Sequence, residues 1–249
     1  MTTLTIELSC LLLATFLGAG LVKGVTGMGL PTVAMGVLGT AISPVAAAAI
    51  LIVPSLTTNV WQMLAGPDKL RLMRRLWPMM LCIVIGTVLG ARLLVIVDPV
   101  WSGRTLGLAL IAYAAYALFS PAVSIPNRLE PWLSPVIGMV TGVVTGATGV
   151  FVIPAVPYLQ SLGFQKDEVV QALGLSFTVS TVALAGGLLA HGAFRLHQIG
   201  LSLLAVIPAL IGMWLGSIVR QKISPKTFRR CFLLFLVVLG LELTLRPFS

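Results

Sequence analysis

Two short stretches of this chain hold the residue types from which a binding site inside apolar surroundings could be built. The first is KGVTGMGLP, residues 23 to 31, and the second is TGVVTGATGVFVIP, residues 141 to 154. Both combine glycines and threonines with a downstream proline, and the first adds the ammonium of Lys23. Such groups donate hydrogen bonds and leave covalent bonds alone. Glycine lets a ligand approach the backbone and takes up positive φ at a turn. Proline fits the first turn of a new helix, where an amide would have no partner anyway. A helix that restarts there presents free amides and its positive dipole end to whatever binds. Two such starts facing each other would make a site for an anion. The candidates are Lys23, Gly24, Thr26, Gly27, Gly29 and Pro31 in the first stretch. In the second they are Gly142, Thr145, Gly146, Thr148 and Gly149.

Lys23 is the only basic residue in either stretch, and an overlay of the two sets Thr141 in its place. A buried ammonium is expensive in a membrane and marks a function by default. Its plain alternative is snorkelling to the interface. Asn59 and Gln62, three residues apart on one helix face, could line the same cavity. Thr181 belongs to a polar stripe with Gln171, Ser176, Thr178 and Ser180 on the matching helix of the second half. For these side chains the alternative is hydrogen bonding between helices, and for the glycines it is close helix packing.

Other chemistry finds little material. The seven acids are Glu7, Asp68, Asp98, Glu130, Asp167, Glu168 and Glu242, and none falls at the middle of an apolar run. A carboxylate proton relay is therefore hard to build. Two histidines and three scattered cysteines give no metal set and no redox pair. The glycine run follows no strand, so it is not a dinucleotide fingerprint. No enzyme, metal or cofactor is expected.

The elements that must position these residues are membrane helices. The chain has 249 residues, of which 58% are hydrophobic and 9% charged. A soluble domain carries about 25% charged residues. Runs such as 45–64 and 76–97 are long enough for a hydrocarbon core, which takes roughly 20 helical residues. The net charge of +9 fits basic membrane loops better than nucleic acid. The bilayer and a small anionic solute are the expected partners; monomer and homodimer both stay open.

The plan occurs twice. IGTVLGARLLVIVDPVWSGR (85–104) overlays IGMWLGSIVRQKISPKTFRR (211–230) without a gap, matching Gly86 with Gly212, Gly90 with Gly216 and Pro99 with Pro225. Two homologous halves follow, 1–122 and 128–249, together forming one transporter domain. Each opens with a glycine-broken pair: 8–22 with 30–40, and 132–144 with 150–161. At about 1.5 Å per residue, none of these pieces is long enough to cross a core of roughly 30 Å alone. Three ordinary spans follow in each half: 44–65, 75–97 and 104–120, then 167–190, 199–219 and 228–246.

Charge separates the two possible topologies. If each broken pair is one crossing, seven basic residues fall on one side and eight on the other. If each pair is a hairpin, the second half is inverted and the division is eleven to four. Only the second obeys the positive-inside rule. The expected fold is an all-α polytopic membrane protein of two inverted repeats, each a re-entrant pair plus three spans. Both termini lie on the periplasmic side of the cell inner membrane.

These residues carry a resemblance. KGVTGMGLP and TGVVTGATGVFVIP, with the paired Gly-x-x-x-Gly and Pro segments, resemble the TauE/SafE sulfite-exporter family over essentially the whole chain. The resemblance implies an export permease for sulfite, sulfonates or related organic anions in the bacterial inner membrane. It also implies about eight hydrophobic helical segments, which counts the short pieces as spans. A non-transporting membrane assembly or partner protein is the other class. It would need large soluble loops or a long amphipathic face, and the longest loops here are about ten residues.

Overall fold

The computed structural model describes residues 2–119, 124–126, 128–193, 196–222 and 225–245. All regular structure in them is helical: α1 Thr2–Thr26, α2 Leu30–Ala41, α3 Pro44–Leu64, α4 Lys69–Ile96, α5 Pro99–Phe119, α6 Glu130–Thr148, α7 Ala155–Ser161, α8 Lys166–Ala190, α9 Leu196–Leu204, α10 Val206–Lys222 and α11 Pro225–Leu245. Among the described residues, six helical segments are long and apolar enough to cross a membrane. The half boundary near residue 122, Arg195 and Arg246 lie outside the described residues.

The first limb of each broken pair is longer than expected. α1 runs past Val22 to Thr26, and its Glu7–Thr26 segment is itself a candidate span. The turn begins only where Gly27 takes a φ of 78° and donates to the Lys23 carbonyl at 2.7 Å. α6 likewise runs past Val144 to Thr148. α7 starts at Ala155 rather than Val150, after Pro154, which has no amide to donate. Both pairs fold back as hairpins. Lys23 meets Thr58 and Gly27 meets Gln62, so α1 runs parallel to α3, and α2, joined to the start of α3 by the short turn at 42–43, leads back from the tip. Tyr158 meets Ser134 at 2.6 Å, so α7 returns along α6.

Glycines set the two closest helix crossings. A Cβ on Gly20 would lie 2.2 Å from the Ala209 carbonyl oxygen, and one on Gly24 2.2 Å from that of Met213. The same construction puts Gly142 2.4 Å from the Ile83 oxygen and Gly146 2.3 Å from the Thr87 oxygen. No side chain fits at any of the four, and the backbones touch, which is how membrane helices gain packing energy without a hydrophobic drive. The pairs also fix a register. Ala209 and Met213 correspond to Ile83 and Thr87 in the overlay, so Gly20 and Gly24 correspond to Gly142 and Gly146. Lys23 therefore matches Thr145, not Thr141. VTG occurs at both 140–142 and 144–146, and the expected overlay slid by one helical turn.

Helix directions follow from the same contacts. α1 runs parallel to α10, and α6 parallel to α4. The corresponding helices α3 and α8 run antiparallel, Gly66 meeting Gln171 while Ser55 meets Thr181. α5 and α11 are antiparallel too, Gly107 meeting Thr244 and Ile111 meeting Gly240.

Prolines interrupt spans, and the structure answers each differently. Pro54 in α3 leaves the Ile50 carbonyl without its helical donor. Ser202 of α9 donates to that oxygen at 2.7 Å and accepts from Val53 N at 3.1 Å. The expected span 199–219 divides at Ala205, because the ring of Pro208 crowds the Leu204 carbonyl four residues back.

Candidate functional site

Lys23 is 2% exposed, one turn before the end of α1. Its Nζ donates to Thr58 Oγ1 at 3.1 Å and to Asn59 Oδ1, both on α3. An ammonium has three N–H donors, so one is left over. Asn59 Nδ2 donates onward to Ser55 Oγ at 3.1 Å and to Thr181 Oγ1 on α8 at 3.4 Å. The chain of bonds thus runs from α1 through α3 to α8. Every acceptor in it is neutral. Ion pairs among the described residues are Arg71–Glu168 and Arg75–Glu130, so no carboxylate balances Lys23. Ser176 and Ser180, buried one turn apart on α8, have no hydrogen-bond partner. No group of three or more histidine, cysteine or acidic side chains is arranged for a metal among the described residues.

The structure brings Lys23, Asn59 and Thr181 together and adds Thr58 and Ser55. The only sequence signal for those two is spacing: Ser55, Thr58, Asn59 and Gln62 share one face of α3. Gln62 takes another part. Its Nε2 donates to the Gly27 carbonyl at 2.9 Å and to that of Val170 at 2.8 Å, tying the first tip to α8. Gln171 reciprocates, donating to the Met63 carbonyl at 2.9 Å.

The remaining candidates shape the tips or the packing. Thr26 Oγ1 accepts from Met28 N at 3.2 Å and lies 2.9 Å from the Val22 carbonyl. Thr148 repeats this with Val150 N at 3.2 Å and the Val144 carbonyl at 2.6 Å. Thr145, at the place of Lys23 in the second half, approaches the Val150 carbonyl at 3.4 Å. Gly27, Gly29 and Gly149 supply positive φ, at 78°, 98° and 70°. Pro31 sits buried in the first turn of α2. Gly24, Gly142 and Gly146 stand in the helix crossings, where neighbouring backbone fills the space a ligand would need.

The two helix starts do not face each other. Gly27 lies beside Gln62 near the end of α3, while Gly146 lies beside Thr87 and Gly90 toward the end of α4, and α3 and α4 are consecutive antiparallel helices. Side chains join the tips instead. Met35 of α2 packs on Gly149, and the Tyr113 hydroxyl reaches Met28 Sδ at 3.3 Å. Tyr113 also lines a cleft with Ile153 and Pro154 of the second tip.

No curated protein and no solved structure matches the chain significantly. The family model for the sulfite exporter TauE/SafE matches residues 11–243. That match takes in both tips, both glycine crossings and the Lys23–Asn59–Thr181 chain, and the protein belongs to the TauE/SafE sulfite exporter family of membrane transporters.

Proposed function

We propose that the protein moves a small oxyanion, sulfite or an organosulfonate, outward across the bacterial inner membrane, and that Lys23 binds it. The observation that carries this reading is the buried ammonium with a spare donor and no carboxylate partner. An isolated charge away from water is costly unless paired. A substrate anion supplies the pair and leaves it on departure. Thr58, Asn59 and Thr181 hold the amine in place; the buried hydroxyls of Ser176 and Ser180 offer further donors.

The two halves, 1–122 and 128–249, act as inverted repeats. Support comes from the antiparallel run of α3 against α8 and of α5 against α11, and from two matching glycine crossings, α1 on α10 and α6 on α4, each of which joins one half to the other. Inverted-repeat transporters hold their substrate between the repeats, and the bonded chain from Lys23 to Thr181 spans them. The pairs Arg71–Glu168 at 3.5 Å and Arg75–Glu130 at 2.6 Å gather three basic loops at one end, read as cytoplasmic. Both termini are then periplasmic. An inside-negative potential drives an anion outward with about 2.3 kcal/mol per charge per 100 mV, enough for export by uniport.

The test is flux in proteoliposomes against a panel of sulfite, methanesulfonate, acetate and succinate. Saturable, potential-driven movement of the sulfur oxyanions is expected. Movement of none of the panel above protein-free vesicles sinks the reading.

A further inference from the structure

We propose that Arg75 is a second oxyanion site, on the basic end of the molecule, where the Glu130 carboxylate stands in for the incoming anion and holds α6 and α7 against α4 until that anion displaces it. This rests on the anion-carrier reading above but uses different residues.

The geometry is that of a substrate complex made within the chain. Arg75 Nε donates to Glu130 Oε1 at 2.7 Å and Nη2 to Oε2 at 2.6 Å. This parallel fork is what a guanidinium offers to any planar or pyramidal oxyanion with two oxygens to present. Nη2 also donates to the Leu162 carbonyl at 3.3 Å, and the guanidinium lies 4.5 Å from the centre of the Phe164 ring. The fork is therefore held in place independently of Glu130. On the other side, the Tyr158 hydroxyl meets Ser134 Oγ at 2.6 Å and the Glu130 carbonyl at 3.4 Å, binding α7 to the start of α6. One ion pair thus latches three helices. A cleft of roughly 750 Å³, lined by Arg75, Glu130, Ser134 and Gly163, opens onto it. The side chains are 27% and 10% exposed, so a solute can reach the pair.

Symmetry shows that the fold does not require this latch. The register that matches Gly24 with Gly146 sets Leu8 and Leu12 at the places of Glu130 and Ser134. The overlay of α4 on α9 and α10 sets Leu201 at the place of Arg75. The same junction is apolar at the opposite end and charged only here. A largely buried ion pair contributes little net stability, because desolvation offsets attraction. Exchanging its carboxylate for an external oxyanion keeps the guanidinium paired, provided the freed Glu130 turns into the cleft to regain water, and the exposed Lys69, Arg71, Arg74 and Arg128 raise the local anion concentration.

The experiment uses the full chain with Cys10, Cys82 and Cys231 replaced and Ser134→Cys as a reporter, since Ser134 is 1% exposed and lines the cleft. Maleimide labelling is followed with methanesulfonate, or with sodium chloride at equal ionic strength, and methanesulfonate flux is measured on the same preparation. The expected results are slow labelling in chloride, at least tenfold faster labelling in methanesulfonate, and labelling of Glu130→Gln that is fast without any anion. Arg75→Lys, which keeps the charge and loses the fork, should lose the response to methanesulfonate. Labelling unaffected by both methanesulfonate and Glu130→Gln, in a preparation that transports methanesulfonate, overturns the latch and leaves the carrier reading standing. Absence of flux removes both.

Discussion

A single uncompensated charge sets the residue-scale behaviour. The acceptors around Lys23, Thr58 Oγ1 and Asn59 Oδ1, are neutral and leave room for an anion in the balance. Asn59→Asp changes almost no volume but gives the ammonium a permanent carboxylate. The hydroxyls of Ser55 and Thr181 can rotate to donate to it. The variant should be at least as resistant to thermal unfolding as the parent and should bind the substrate anion at least tenfold more weakly, since the internal carboxylate competes for the same donor. A thermal-shift series with and without methanesulfonate checks both parts. Unchanged anion-induced stabilisation would count against Lys23 as the ligand. This group was partly legible in the sequence. A lysine in an oily glycine run stands out, and Asn59 and Thr181 are polar residues inside spans. Ser55 and Thr58 look like ordinary hydroxyl residues bonded to their own helix, as they also are: Thr58 donates to the Pro54 carbonyl at 2.8 Å.

For the elements, two kinds of glycine separate that sequence alone presents as one. At Gly146 an added Cβ would sit 2.3 Å from the Thr87 oxygen, so Gly146→Ala must push α6 off α4. At Gly27 the nearest atom would be Val170 Cγ2 at 3.7 Å, so Gly27→Ala has space and bears only its positive φ. That backbone strain costs about 1–2 kcal/mol. Gly146→Ala should reduce the yield of folded protein in detergent sharply, whereas Gly27→Ala should fold and lower flux. Equal yields for the two would mean that α4 and α6 can separate without loss. A related expectation concerns Ser202→Ala, which strips the Ile50 carbonyl beside Pro54 of its side-chain donor. An unsatisfied buried group costs about 1–3 kcal/mol, to be read as a lowered unfolding midpoint. Neither the Ser202 patch nor the Arg75–Glu130 latch could be foreseen. Each joins segments far apart in sequence, and the serine, arginine and glutamate involved sit at positions where loops and helix ends commonly carry such residues. The slip from Thr145 to Thr141 has a plain cause as well: a repeated VTG gives two registers, and only the partner helix chooses between them.

On the scale of the whole molecule, the all-helical membrane class was legible because it depends on composition and on apolar runs counted over many residues, not on any one contact. The structure adds the directions of corresponding helices. Single cysteines at Asp68 and Gln221 should label from the cytoplasmic face, and one at Asp98 from the periplasmic face; opposite accessibility of positions 68 and 221 would contradict the inverted arrangement. The central claim is that an anion crosses this molecule by pairing with Lys23. Its most direct test is uptake of radiolabelled sulfite into proteoliposomes under an imposed potential, comparing the parent with Lys23→Met. Methionine keeps the length of the side chain and removes the charge. Hydrogen bonds to charged groups contribute about 1.5–3 kcal/mol, so the account predicts an apparent affinity weakened about tenfold or more, with the protein still folded. Sulfite uptake by Lys23→Met with unchanged affinity and rate would contradict it.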